Sequence, residues 1–283
     1  YIPQTEIFIF YDNISYSTIS EDDILHLIID TINKNKPNLQ SCKFKIKTNI
    51  IKQIKETSIS SSIPESITIQ TVLNFFYPNI FKTKNEVKYF LTILGDNILN
   101  KKDNLIYLID ISFKSLIQQL SQQLFLYLNK NTTDNFKFKY SDHKFESCRI
   151  LQLVNNTFDI NFIKQNILNI ITVSCYYSKR YISSDGFIEQ SNDNLLKKSV
   201  LILKQNTPIA LINKFLSEYT VKNDSSNMQF KDLYFIWKQY LKKYKLPHVV
   251  SIGNFKSFLA ELNIYNAQTD SCNNIKSKYH SEW

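Results

Sequence analysis

The residues to consider first as metal ligands are His143 and the four cysteines. His143 and Cys148 are five residues apart, and both residue types bind zinc. A structural zinc site needs four ligands, usually as two close pairs, and neither Cys42 nor Cys175 supplies a second pair. With Cys272, the cysteines are widely separated, which is typical of reduced thiols in an intracellular protein. We therefore predict no metal site, no disulfide and no cofactor.

A loop that binds nucleotide phosphates needs clustered glycines, so that backbone N–H groups can approach the anion. Gly95, Gly186 and Gly253 are isolated from one another. Residues 104–128 have the strand-then-helix order of such a site but no glycine between the two elements. No catalytic residue is identified, and an enzyme is not expected. The strand-then-helix order at 104–128 is the one hint of a truncated or degenerate enzyme relative, which is kept as an alternative.

The net charge of +9 and the isoelectric point near 9.1 are compatible with an acidic partner such as nucleic acid. Only Arg149 and Arg180 are arginines, so bidentate reading of base edges is not expected. Lysine is also a residue that AT-rich codons supply, and a mutational bias is an equally good explanation of the excess.

The stretch with the strongest excess of positive charge is 36–55, which contains six lysines and no acidic residue. Lys43, Lys47 and Lys52 in this stretch are candidate contacts to a phosphate backbone. The alternative is an amphipathic helix with a solvated basic side, because the intervening isoleucines supply an apolar side.

Capping signals and apolar spacing predict helices over much of the chain. Thr83 with Glu86 forms a capping box ahead of a buried helical face, and Thr207 with Pro208 opens another helix. Residues 136–140 and 148–154 are predicted to form an antiparallel hairpin. Polar composition predicts linkers at 183–193 and at 222–227. The long apolar stretch 160–177 is broken by polar residues, which predicts a core helix rather than a membrane span.

The C-terminal segment 228–265 has the pattern of two helices joined by a turn. Trp237 and Phe258 lie on the predicted inward faces of helices 231–244 and 251–262. This segment resembles the winged-helix tail of the poxvirus-type superfamily 3 primase-helicases of large DNA viruses. The resemblance implies a DNA-facing set of side chains: Lys242, Lys243, Lys245, His248, Asn254 and Lys256.

We therefore expect a helix-dominated α+β protein with an N-terminal α+β body over 1–182, a linker over 183–193 and a helical C-terminal region over 194–283 that contains a small winged-helix-like module. The expected function is that of a non-enzymatic nucleic-acid-binding protein of large-DNA-virus type, in the host cytoplasm or nucleus and without a membrane partner. One alternative is a structural or interaction protein that binds another viral protein, and the other is a truncated or degenerate helicase-related fragment.

Overall fold

The structure of the chain is a computed structural model that describes residues 1–101, 103–139, 144–155, 158–244, 246 and 248–278, without the side chain of Asp224. About 60% of the chain is helical and 15% is strand, which confirms the predicted helix-dominated α+β class. The α-helices of the described residues are α1 (Glu21–Asn35), α2 (Lys43–Glu56), α3 (Ser66–Phe76), α4 (Lys84–Ile98), α5 (Lys114–Leu128), α6 (Ile160–Tyr181), α7 (Ser184–Gln190), α8 (Asn194–Val200), α9 (Ile202–Gln205), α10 (Pro208–Tyr219), α11 (Phe230–Lys243) and α12 (Ile252–Glu261). The strands are β1 (Phe8–Tyr11), β2 (Tyr16–Ile19), β3 (Ile106–Ile109), β4 (Phe136–Lys137), β5 (Cys148–Leu151), β6 (Thr220–Gln229), β7 (Tyr265–Asn266) and β8 (Ser271–Ser277).

The chain forms two compact units whose segments alternate along the sequence. Unit 1 consists of Tyr1–Asp103, Ser115–Asp134 and Val154–Asp193, and unit 2 of Asn104–Lys114, Asn135–Leu153 and Asn194–Trp283. The sequence-based boundaries place 104–114 and 135–153 in the N-terminal body, whereas the structure groups these segments with the C-terminal region. The reason is a shared core, in which Leu108 and Ile150 cluster with Leu203. The expected linker at 183–193 contains helix α7.

Helix α4 is the most buried helix of unit 1. The Thr83 hydroxyl accepts a hydrogen bond from the Glu86 N–H, and the Glu86 carboxylate accepts one from the Thr83 N–H, which confirms the capping box. Phe90, Leu91 and Leu94 are fully buried, as the apolar spacing predicts. Residues on the other sides of α4 are buried as well, so this helix lies inside unit 1 rather than at its surface.

Gly95 and Asp96, in the last turn of α4, pack against α6. A Cβ atom at Gly95 would overlap the Ser174 carbonyl oxygen and lie 2.6 Å from Ser178 Cβ, so glycine permits close packing of the two helices. Asp96 is buried, although it lies on the side of α4 where the apolar spacing would place polar residues. Its buried carboxylate accepts hydrogen bonds from the Ser178 hydroxyl at 2.6 Å and the Ser184 N–H at 2.7 Å.

The first sheet of unit 2 is parallel, with strand order β4-β3-β5. The predicted antiparallel hairpin is therefore wrong, because β4 and β5 both pair with β3 and do so in parallel. Alternating aromatic and lysine residues identify a strand but not the direction of its partner. Phe136 is buried against Tyr107, at 5.8 Å between ring centroids. Residues 141–143, the first half of the hairpin loop predicted near 141–146, lie outside the described residues.

The second sheet of unit 2 is antiparallel, with strand order β6-β8-β7. Residues 222–227, predicted to be a linker, belong to β6, and the prediction is wrong. The strand pairs with β8 through backbone groups, with a shift in register between Lys222 and Asn227. Its other side is an edge of the sheet, where polar side chains are usual in a strand.

Helix α6 is the longest helix of the described chain, and it is not a membrane span. Across the described residues, no helix is both long enough and apolar enough to cross a bilayer.

Candidate nucleic-acid interface

The C-terminal part of unit 2 packs around Trp237. The Trp237 ring is fully buried and stacks on Phe255 at 5.2 Å and on Tyr240 at 5.4 Å between centroids. Phe215 from α10 meets the indole edge-on at 5.1 Å. The predicted inward stripes of α11 and α12 are thereby confirmed, with Phe258 half-buried at the margin. This rigid core fixes which side chains of the two helices face outward.

Two of the predicted contact lysines lie in the last turn of α11. Lys242 and Lys243 are both exposed. The Lys243 ammonium lies 5.3 Å from the Tyr219 ring centroid and 5.5 Å from that of Tyr244, so aromatic faces hold it near the surface. Lys245 lies outside the part of the chain that the structure describes.

His248 and Asn254 are exposed near the start of α12. The backbone of His248 forms an isolated parallel bridge with Lys139. The Asn254 N–H donates to the Ser251 hydroxyl at 3.2 Å, which caps α12 and leaves the Asn254 side chain on the outer face. The rest of this face is small and uncharged over its first turns, with Gly253, Ser257 and Ala260 exposed.

Lys256 is held by an acidic partner. Its ammonium donates to the Asp270 carboxylate at 2.8 Å, and the Tyr265 hydroxyl donates to the same oxygen at 2.7 Å. The hydrogen bond to Asp270 raises the pKa of Lys256, and the hydrogen bonds from Lys256 and Tyr265 lower the pKa of Asp270. The ammonium also lies 4.4 Å from the Phe230 ring centroid. The charge of Lys256 is therefore already offset by that of Asp270.

The outer side of α11 carries a basic stripe, which we call the α11 stripe, and only its Lys242 belongs to the predicted set of contact residues. It consists of Lys231, Phe235, Lys238 and Lys242, all exposed. Steps of four, three and four residues bring these side chains onto one side of a helix over about 16 Å. The spacing is visible in the sequence, but Lys231 and Lys238 are not in the predicted set, because the inward aromatic residues dominate the pattern there.

The unit 1 candidates do not form one basic face. Lys43 and Lys47 are half-buried on the apolar side of α2, whereas Lys52 is exposed roughly 140° farther round the helix. Lys55 is paired with Glu21 at 3.1 Å. The arrangement fits the amphipathic alternative better than a phosphate-tracking surface.

The candidate metal ligands that the structure describes are not brought together by the fold. Cys148 is buried, its thiol donates to the Lys144 carbonyl at 3.3 Å, and burial raises its pKa to about 11. His143 lies outside the described residues. Within the described part of the chain, no three metal-binding side chains of histidine, cysteine or acidic type come together.

In comparisons with known proteins, the chain matches no family model, no curated protein and no solved structure.

Proposed function

We propose that unit 2 binds nucleic acid through lysine contacts to phosphates, without sequence preference and without catalysis. In this proposal, residues 208–277 act as a winged-helix-type module.

The distribution of charge carries the proposal. Unit 2 contains 18 lysines and arginines and nine aspartates and glutamates, whereas unit 1 contains 16 of each. The whole net charge of +9 therefore belongs to unit 2. A mutational bias toward lysine codons would act on both units of one gene, so it does not explain this difference. A concentrated positive charge is what attraction of a polyanion requires.

The order of elements supports the winged-helix-type module. Helix α10 is followed by β6, then α11 and α12, then the hairpin β7-β8, and the sheet order is β6-β8-β7. Winged-helix modules have this order of helix, strand, two helices and a β-hairpin. In a helix-turn-helix, the second helix, here α12, enters the major groove. Its outer face is small and uncharged over the first turns, which permits close approach to DNA there, and carries the exposed Glu261 at its end.

The scarcity of arginine supports the absence of sequence preference. Arg149 is buried in β5 and donates to backbone carbonyls of Glu146 and Cys148, and Arg180 belongs to unit 1. Unit 2 therefore has no exposed arginine with which to read guanine edges. Lysine contacts to phosphates position a protein on nucleic acid but carry no base information.

A pair of triple variants of the full chain tests the assignment to unit 2. Neutralising Lys242, Lys243 and Lys245 to glutamine should weaken binding to any duplex by a similar factor. Neutralising Lys43, Lys47 and Lys52 in the same way is the matched control and should leave the affinity nearly unchanged. Equal losses in the two variants would contradict the proposal and favour the alternative explanation of a general lysine excess.

A further inference from the structure

The α11 stripe combines cations with an exposed aromatic ring. Phe235 is 49% exposed, and it lies one turn from Lys231 on one side and one turn from Lys238 on the other. Lys242 continues the row by a further turn. The stripe contains no acidic residue, so its charge is complementary to a polyanion along the whole length.

The Phe235 ring distinguishes this stripe from an ordinary basic helix face. A single exposed apolar side chain is normal on a protein surface. A solvent-facing ring between lysines at helical spacing also has the composition of single-strand-binding surfaces, in which aromatic rings stack on bases while cations contact the neighbouring phosphates. The half-buried ring of Tyr234 adds a second aromatic group, with the Lys238 ammonium 4.9 Å from its centroid.

We propose that the α11 stripe binds single-stranded nucleic acid, with Phe235 stacked on an unpaired base and Lys231, Lys238 and Lys242 in contact with phosphates. This inference rests on the proposed function and extends it to a substrate class. In a duplex both faces of each base are covered by its neighbours, so a surface ring has no base to stack on unless the duplex opens. A single strand exposes base faces and phosphates together, and every base has a face, so stacking adds affinity without sequence preference.

Comparing oligomers with and without bases separates the contribution of base stacking to the affinity from that of the phosphate charges. Binding of the full chain is measured by fluorescence anisotropy against a labelled oligothymidine and against an abasic oligomer with the same number of phosphates. The wild-type chain should bind oligothymidine more tightly than the abasic oligomer. Phe235→Ala should remove that preference, with a loss of oligothymidine affinity on the order of 5- to 100-fold, and should leave abasic binding almost unchanged.

Two further variants control the result. Phe235→Tyr keeps a ring and should keep the preference. Phe125→Ala removes a ring that is 46% exposed on α5 in unit 1, and it should have no effect on either oligomer.

Equal affinity of the wild-type chain for the two oligomers, or a Phe235→Ala variant that keeps the preference, would overturn the stacking inference. If salt-dependent binding to duplexes persists in that case, the proposed function stands without it. If neither single strands nor duplexes bind, both proposals fail.

Discussion

Lys256 on α12 is hydrogen-bonded to Asp270, which precedes β8, at 2.8 Å. The pair links the helix that a helix-turn-helix would present to DNA with the hairpin that follows it. Because Asp270 neutralises Lys256, this lysine is a weak candidate for a phosphate contact. In the proposed function, the cations of α11 therefore supply most of the contacts to phosphates.

Replacing Asp270 tests this partition of charge. Asp270→Asn removes one negative charge and releases Lys256, so DNA affinity should rise, and the magnitude of the salt slope should increase by up to about one unit. Lys256→Gln should reduce the slope by clearly less than one unit. The pairing would be contradicted by the opposite outcome, in which Lys256→Gln removes a full unit and Asp270→Asn changes nothing.

The close packing of α4 and α6 predicts that Gly95 does not tolerate a methyl group. Gly95→Ala should lower the free energy of unfolding by about 2–3 kcal/mol through overpacking, although alanine is the better helix former. Gly253→Ala in α12 is the control, because no atom lies within 4 Å of its added Cβ. It should raise stability by up to about 1 kcal/mol. Denaturant unfolding compares the two, and a stabilised Gly95→Ala would show that the helices are farther apart.

The thiols should differ sharply in reactivity. Cys42 is exposed, whereas Cys148, Cys175 and Cys272 are buried. A thiol reagent at neutral pH should therefore modify one cysteine quickly and the other three only after denaturant is added, since the reactive thiolate needs both access and a low pKa. The control is Cys42→Ser, which should remove the fast phase. Rapid modification of two or more thiols in the native protein would contradict the burial of these side chains.

The buried thiols also predict how stability depends on pH. Burial raises the pKa of Cys175 to about 12 and that of Cys272 to about 11. Above roughly pH 9, the unfolded chain releases thiol protons that the folded chain retains, so the free energy of unfolding should fall as pH rises. Cys175→Ala should make this fall shallower. An unchanged pH dependence in that variant would show that Cys175 does not contribute to it.

Most of the longer helices were predictable because their signals are local. The side chains of Thr83 and Thr207 each accept a hydrogen bond from the N–H group three residues later in the chain. The apolar residues of α4, α5 and α11 recur at the spacing that places them on one face of a helix. The pairing of strands depends on residues far apart in sequence. Nothing within 136–154 indicates that β4 and β5 lie on either side of β3. The polar stretch 222–227 lies in a strand because the residues at its two ends, Lys222 and Asn227, pair with β8.

The candidate interface was predictable only in part, for the same reason. The exposed positions of Lys242, Lys243 and Asn254 follow from the inward positions of their neighbours. The neutralisation of Lys256 does not, because Asp270 is 14 residues away and is brought close by the turn before β8. The concentration of net charge in unit 2 was also hidden, because the two units alternate along the chain.

Salt dependence of binding tests the central claim most directly. The association constant of the full chain is measured over a range of salt concentrations against two duplexes of equal length and unrelated sequence. The account predicts a linear fall of log K with log salt concentration, with the same slope for both duplexes and a slope of about 0.9 per phosphate contact. A chain that shows no salt-dependent association with DNA or RNA at low ionic strength would contradict the account.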